Sequence, residues 1–107
     1  MKDVWRDKDE FKARVLEWAS KLNVKVRMVT MRPMRNKWAS CSTAGNLHFD
    51  SGLLLLDRKL GDYVIVHELC HLKVHDHGIE FYRLLTRCMP DWQDRKRRLE
   101  AMAVRYS

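Results

Sequence analysis

The chain has 107 residues, enough for one domain built on one core and too few for two, so residues 1–107 read as a single domain. Its apolar share of 46% and charged share of 33% are ordinary for a globular protein and exclude a disordered chain. Its apolar runs, Leu53 to Leu56 and Tyr63 to Val66, fall far short of the roughly 20 residues that cross a bilayer.

The formal charge of +7 permits attraction to nucleic acid or acidic substrates without establishing either. The start, Met1 to Lys8, mixes charges and lacks the apolar stretch of a secretion signal, so a cytoplasmic location is expected. Cys41, Cys70 and Cys88 are odd in number, widely spaced and never in a C-x-x-C pair, so reduced thiols are expected.

Phe11, Val15, Trp18 and Leu22 recur at steps of four, three and four, the apolar stripe of a helix from about Asp7 to Lys21. Asn23 interrupts it, and Val24 to Met31 alternates apolar with mostly polar residues, as a half-buried strand does until Pro33 ends it. Lys37 to Ser42 and Asn46 to Asp50 are extended segments joined by Thr43-Ala44-Gly45, a hairpin signal. Leu53 to Leu56, after Gly52, fits either a fourth strand or a buried turn of helix.

Asp62 to about His75 reads as one buried helix. Asp76 is placed to cap a further helix from Gly78 to Cys88. Pro90 and Asp91 open a last helix with Leu99, Met102, Ala103 and Tyr106 on one stripe. The basic run Arg95 to Arg98 is diluted by Asp91, Asp94 and Glu100 and reads as a solvated helix face. Helix, strands, then helices define an α+β domain with a small antiparallel or mixed sheet.

The chemistry concentrates at His67-Glu68-Leu69-Cys70-His71, an H-E-x-x-H pattern on a predicted helix. Four residues rise roughly 6 Å and rotate about 40° past a full turn, so both imidazoles leave one face and converge on one ion. Glu68 lies on the adjoining strip, placed to take a proton from a water activated by that ion. With five His and five Glu in the chain, the pattern is expected about 0.01 times by chance.

A catalytic zinc usually has three protein ligands and one open position. His75 shares the face of His67 and His71, but an unbroken helix puts it roughly 12 Å along the axis from His67. His77, flanked by Asp76 and Gly78, returns to the metal if the chain reverses after His75. Glu80 is the second choice.

The stretch His67 to Lys73, followed by His77-Gly78-Ile79-Glu80-Phe81, resembles the YgjP-like metallopeptidases and their SprT-like relatives, which pair H-E-x-x-H with a later element whose histidine is the third zinc ligand. The segment Lys37 to Ser42 with Gly45-Asn46-Leu47 is similar to their W-x-S-C-x-x-x-G-x-L region, and Met89-Pro90-Asp91-Trp92 to their post-helix turn. The likeness runs from about Arg35 to Leu99. It favours His77 over Glu80. The chain is shorter than the longer YgjP-like proteins and similar in size to minigluzincins. Its interval from His71 to His77 is shorter than in SprT-like proteases, a departure that leaves their DNA-dependent activity an open question for this chain.

The resemblance implies a zincin-like fold, with a small, mostly antiparallel sheet packed on the active-site helix and flanking helices. It implies a zinc-dependent metallopeptidase with Zn2+ on His67, His71 and His77 and Glu68 as general base. A peptide or protein substrate would pair along the Lys37 to Ser42 edge strand, with Trp38 lining a subsite or filling the core. Two other functions remain compatible with the residues. One is a nucleotide or phosphoester hydrolase using the same metal; the other is a zinc-stabilised module that binds nucleic acid through Arg95 to Arg98.

Overall fold

The structure, a computed structural model, describes residues 3–103. Helix α1 (Lys8–Leu22) begins where the Asp7 carboxylate accepts the Glu10 amide at 2.9 Å, and it ends at Asn23, whose left-handed backbone (φ 56°) caps the last carbonyls. Phe11, Val15, Ala19 and Leu22 are its buried residues. Trp18, counted on the stripe, is only half-buried because its indole donates to Asp62 at 3.0 Å.

Strand β1 (Met28–Arg32) is shorter than the alternation from Val24 predicts. The amides of Arg27 and Met28 both point at the Gly45 carbonyl, at 2.9 and 3.4 Å, and this irregularity shifts the phase by one residue. Val24 and Val26 pack on the core before it and Val29 and Met31 after it, leaving Met28 exposed.

Strands β2 (Ala39–Cys41) and β3 (Asn46–Asp50) form the expected hairpin. Gly45 turns it with φ +89°; a Cβ there would also sit 3.0 Å from the Lys25 carbonyl oxygen. The sheet order is β1-β3-β2, with β1 parallel and β2 antiparallel to β3. One pairing of each kind makes the sheet mixed, where the resemblance pointed to mostly antiparallel pairing. Residues 33–38 carry the chain past the place β3 will take. The Asp50 carboxylate at the end of β3 holds that crossing by accepting the Met34 amide at 2.7 Å.

Asp50 also accepts the Gly52 amide at 3.0 Å and so starts a 3-10 turn (Ser51–Leu55), which settles Leu53 to Leu56 as helical rather than strand. Helix α2 (Arg58–Lys73) starts four residues before the predicted Asp62, with Asp57 capping the Lys59 amide at 2.9 Å. It tolerates Gly61 because the Trp5 indole occupies the space of a side chain: a Cβ would lie 2.6 Å from Trp5 Nε1. α2 touches α1, β2, helix α3 (Ile79–Cys88) and helix α4 (Trp92–Ala103). The Arg14 guanidinium fastens α1 to it through Asp62 at 2.8 Å.

The expected Asp76 cap does not form. α3 starts at Ile79, so the cap position falls on Gly78, which makes no side-chain cap bond. Leu99 of the α4 stripe is buried and Met102 half-buried, while Tyr106 lies outside the described residues. The core centres on Phe11, Phe49, Leu47, Leu53, Ile65 and Leu69, with Phe11 and Phe49 edge to face at 5.0 Å.

Candidate metal centre

The helical period of α2 sets His67 and His71 on one side, ring centroids 4.9 Å apart. α2 stops at Lys73, and extended Val74 returns its amide to the Cys70 carbonyl at 2.8 Å. The chain then reverses and brings the His77 ring to 5.5 Å from His67 and 4.3 Å from His71. One ligand nitrogen from each of the three lies within 4.8 Å of the others.

Bonds of roughly 2.1 Å to a tetrahedral ion set donor nitrogens roughly 3.4 Å apart, so the three rings are within about 1.5 Å of ligating geometry. Three imidazoles are a borderline-soft donor set that suits a first-row divalent ion. Phe81, fully buried, closes the back of the cluster, its ring 4.6 to 5.3 Å from all three imidazoles. Phe81 stands in the stretch that carries the family resemblance, but its place against the rings depends on how α3 docks and was not legible there.

The other two candidate ligands lie apart from this cluster. His75 is exposed, and its backbone carbonyl lies near enough to the His71 ring to favour that ring's charged form. Glu80 is exposed and pairs with Arg83 at 3.1 Å.

Burial lowers the pKa of His71, reinforced by the neighbouring His67 and His77 and opposed by the Glu68 carboxylate and the His75 carbonyl. A neutral ring, the form that binds metal, is thereby favoured. Glu68 is nearly buried, its Oε2 3.0 Å from His67 Nδ1, which leaves the other ring nitrogen for an ion. Burial first, then the Glu68 charge, pushes the Cys41 thiol up to about 11, so it stays protonated. The Tyr63 phenol is pushed up to about 12 by burial and by Glu100, Tyr82 and Glu68.

Two recesses meet at His67. The smaller, about 180 Å³, is lined by Trp38, Ala39, Tyr63, Val64, His67, Glu68 and Leu99. Trp38 is therefore half-buried and also faces the site. The larger, about 480 Å³, is lined by Tyr63, His67, His77, Tyr82, Trp92 and Lys96. In the basic run, Arg95 pairs with Asp91, Arg97 with Asp94 and Arg98 with Asp57, which spends three of its four charges inside the protein. No helix among the described residues is long and apolar enough to cross a membrane.

A helix carrying two histidines and a glutamate, a third histidine behind it and a strand beside it together have the make-up of a small metallohydrolase. The sequence pattern of the YgjP-like metallopeptidase domain matches residues 5–102, and the chain belongs to that family. Its fold is similar to that of the metallopeptidase zymogen abylysin of Pyrococcus abyssi (TM-score 0.77, 22% identity, 86% of this chain and 93% of that one). It is also similar to the zymogen jannalysin of Methanocaldococcus jannaschii (TM-score 0.74, 26% identity, 86% and 95%). Comparison with curated proteins returns no significant match. The chain is thus a hydrolase that acts on peptides or proteins with a divalent metal.

Proposed function

We propose that the metal is zinc, held by His67, His71 and His77, and that Glu68 is the general base of peptide-bond hydrolysis. The observation that carries this reading is the convergence of three imidazole nitrogens within 4.8 Å beside a nearly buried carboxylate. A bound zinc ion supplies polarisation of the scissile carbonyl and acidification of a water toward a pKa of about 7. Glu68 takes the proton from the attacking water and passes it to the leaving amine. The Phe81 ring packs against all three imidazoles.

The substrate lies extended along β2. In the hairpin, the Asp50 amide donates to the Trp38 carbonyl and the Ser42 amide to the Asn46 carbonyl. Antiparallel alternation then turns the backbone groups of Trp38, Ser40 and Ser42 toward β3 and those of Ala39 and Cys41 outward. Ala39 also lines the recess at Glu68, so a peptide added at that edge passes the carboxylate. The whole chain acts as one catalytic domain, and its three free thiols suit the cytoplasm.

Metal analysis and Glu68→Gln test this reading together. About one zinc per chain is expected, retained in the variant, with peptide hydrolysis reduced roughly 10²- to 10⁴-fold. Undiminished hydrolysis by Glu68→Gln removes the assigned base, and a purified protein without zinc removes the assigned metal.

A further inference from the structure

The recess that His67 and His77 line together contains one positive charge with no internal partner. Arg95 is bound to Asp91 at 3.0 Å and to the Lys59 carbonyl at 3.1 Å, Arg97 to Asp94 at 3.4 Å and Arg98 to Asp57 at 3.6 Å. Lys96, in the middle of that run, pairs with no carboxylate among the described residues, not even Glu100 one turn on, and it lines the recess with His67 and His77. The walls are held firmly. Tyr82 stacks on Trp92 at 5.4 Å, and the Trp92 indole donates to the Thr86 hydroxyl at 2.9 Å.

We propose that this recess is a carboxylate-recognising subsite in which Lys96 pairs with a negative group on the substrate next to the scissile bond. The inference rests on the peptidase reading of the same centre and narrows its substrate class to peptides that are anionic at that position. At about 480 Å³ the space lies in the roughly 300–1,000 Å³ range of small-molecule sites and has room for an acidic side chain or a chain terminus. A single lysine presents one positive point charge, and the carboxylate is the anionic group that an unmodified peptide carries, so a carboxylate is the group this charge would meet. Two sources carry that group: an Asp or Glu side chain, or the free C-terminus of a short peptide.

The test uses zinc-loaded protein and a set of labelled hexapeptides in which one Glu is moved position by position. Each is matched by its Gln counterpart and made with acid and amide termini. Hydrolysis is measured with the wild type, and binding by fluorescence anisotropy with Glu68→Gln. At one position the carboxylate should be preferred about two- to fivefold, the scale of an exposed charge pair, and less so at high salt. Lys96→Met should bring that ratio close to one, Lys96→Glu should invert it and Lys96→Arg should keep it. Preference for an internal Glu identifies the side chain as the source; preference for the acid terminus alone identifies the C-terminus.

Ratios near one at every position, or a ratio that survives Lys96→Met, overturn the subsite. Carboxylate preference in binding without hydrolysis of any peptide leaves the subsite standing and sinks the peptidase reading instead. Hydrolysis without preference does the reverse.

Discussion

The three imidazoles come from two regions built on opposite principles. α2 is buried along most of its length, fastened to α1 through Asp62 and to Trp5 through Gly61, and it holds His67 and His71 at a separation the helix dictates. The stretch from Val74 to Gly78 is exposed beyond Val74 and has no side-chain cap, and its His77 is positioned by contact with the other two rings and with Phe81. A rigid pair therefore waits for a third ligand that arrives with the reversal of the chain. Precision is supplied by the helix, and closure of the site by the turn.

That contrast is broken most forcefully by removing one ligand from each side. His77→Ala leaves the helical pair in register, so weakened metal binding should remain, reduced about 10²-fold. His71→Ala leaves two ligands on different elements with no fixed spacing, and about 10³-fold or more should be lost. Both losses exceed or match the roughly 10- to 100-fold cost of deleting an outer-shell partner. Competition against a chelating dye measures them, and equal losses would show that the turn is as preorganised as the helix.

The same division explains what the sequence made legible. The α1 stripe, the hairpin at Gly45 and the H-E-x-x-H pair rest on spacings of a few residues, and each appears where the pattern puts it. The start of α2 was hidden because Gly61 reads locally as a poor helix residue, whereas its reason is Trp5, far away in the chain. Alternation fixes which side chains face the core but not the direction of the partner strand, so the parallel β1–β3 pairing was not readable. His77 was reachable only as one of several candidates, because where a helix stops and how the chain then turns depend on tertiary packing. Phe81 behind the imidazoles and Lys96 beside them depend on how α3 and α4 dock, which no local period encodes.

Alkaline titration probes the buried side of α2 without touching a ligand. Cys70 is fully buried, and burial, with the neighbouring Cys88, pushes its thiol up to about 12. The unfolded thiol loses its proton near pH 9. Between those values the unfolded state holds fewer protons, so this contribution is complete below about pH 9 and is lost as pH rises toward 12. Cys41, raised to about 11 by burial and by Glu68, acts in the same direction. Each group contributes up to about 1.4 kcal/mol per pH unit. Urea midpoints from pH 8 to 11 should fall, and Cys70→Ala, though less stable at pH 8, should show a shallower slope. An unchanged slope would mean that the helix is not closed around this thiol.

The smallest effects belong to the two turn residues that the sequence made most conspicuous. The His75 side chain is exposed and lies outside the histidine cluster, so His75→Ala should leave metal affinity within about twofold. Asp76 makes no cap, because the vacant amides of α3 begin beyond its reach. Asp76→Ala should therefore cost less than about 0.5 kcal/mol rather than the roughly 1 kcal/mol of a lost N-cap. A tenfold loss of metal in His75→Ala would mean that its imidazole enters the site and that the turn has a second arrangement. If both variants are silent, the turn acts through its backbone course and through His77 alone, and the division between a precise helix and a permissive loop holds to single residues.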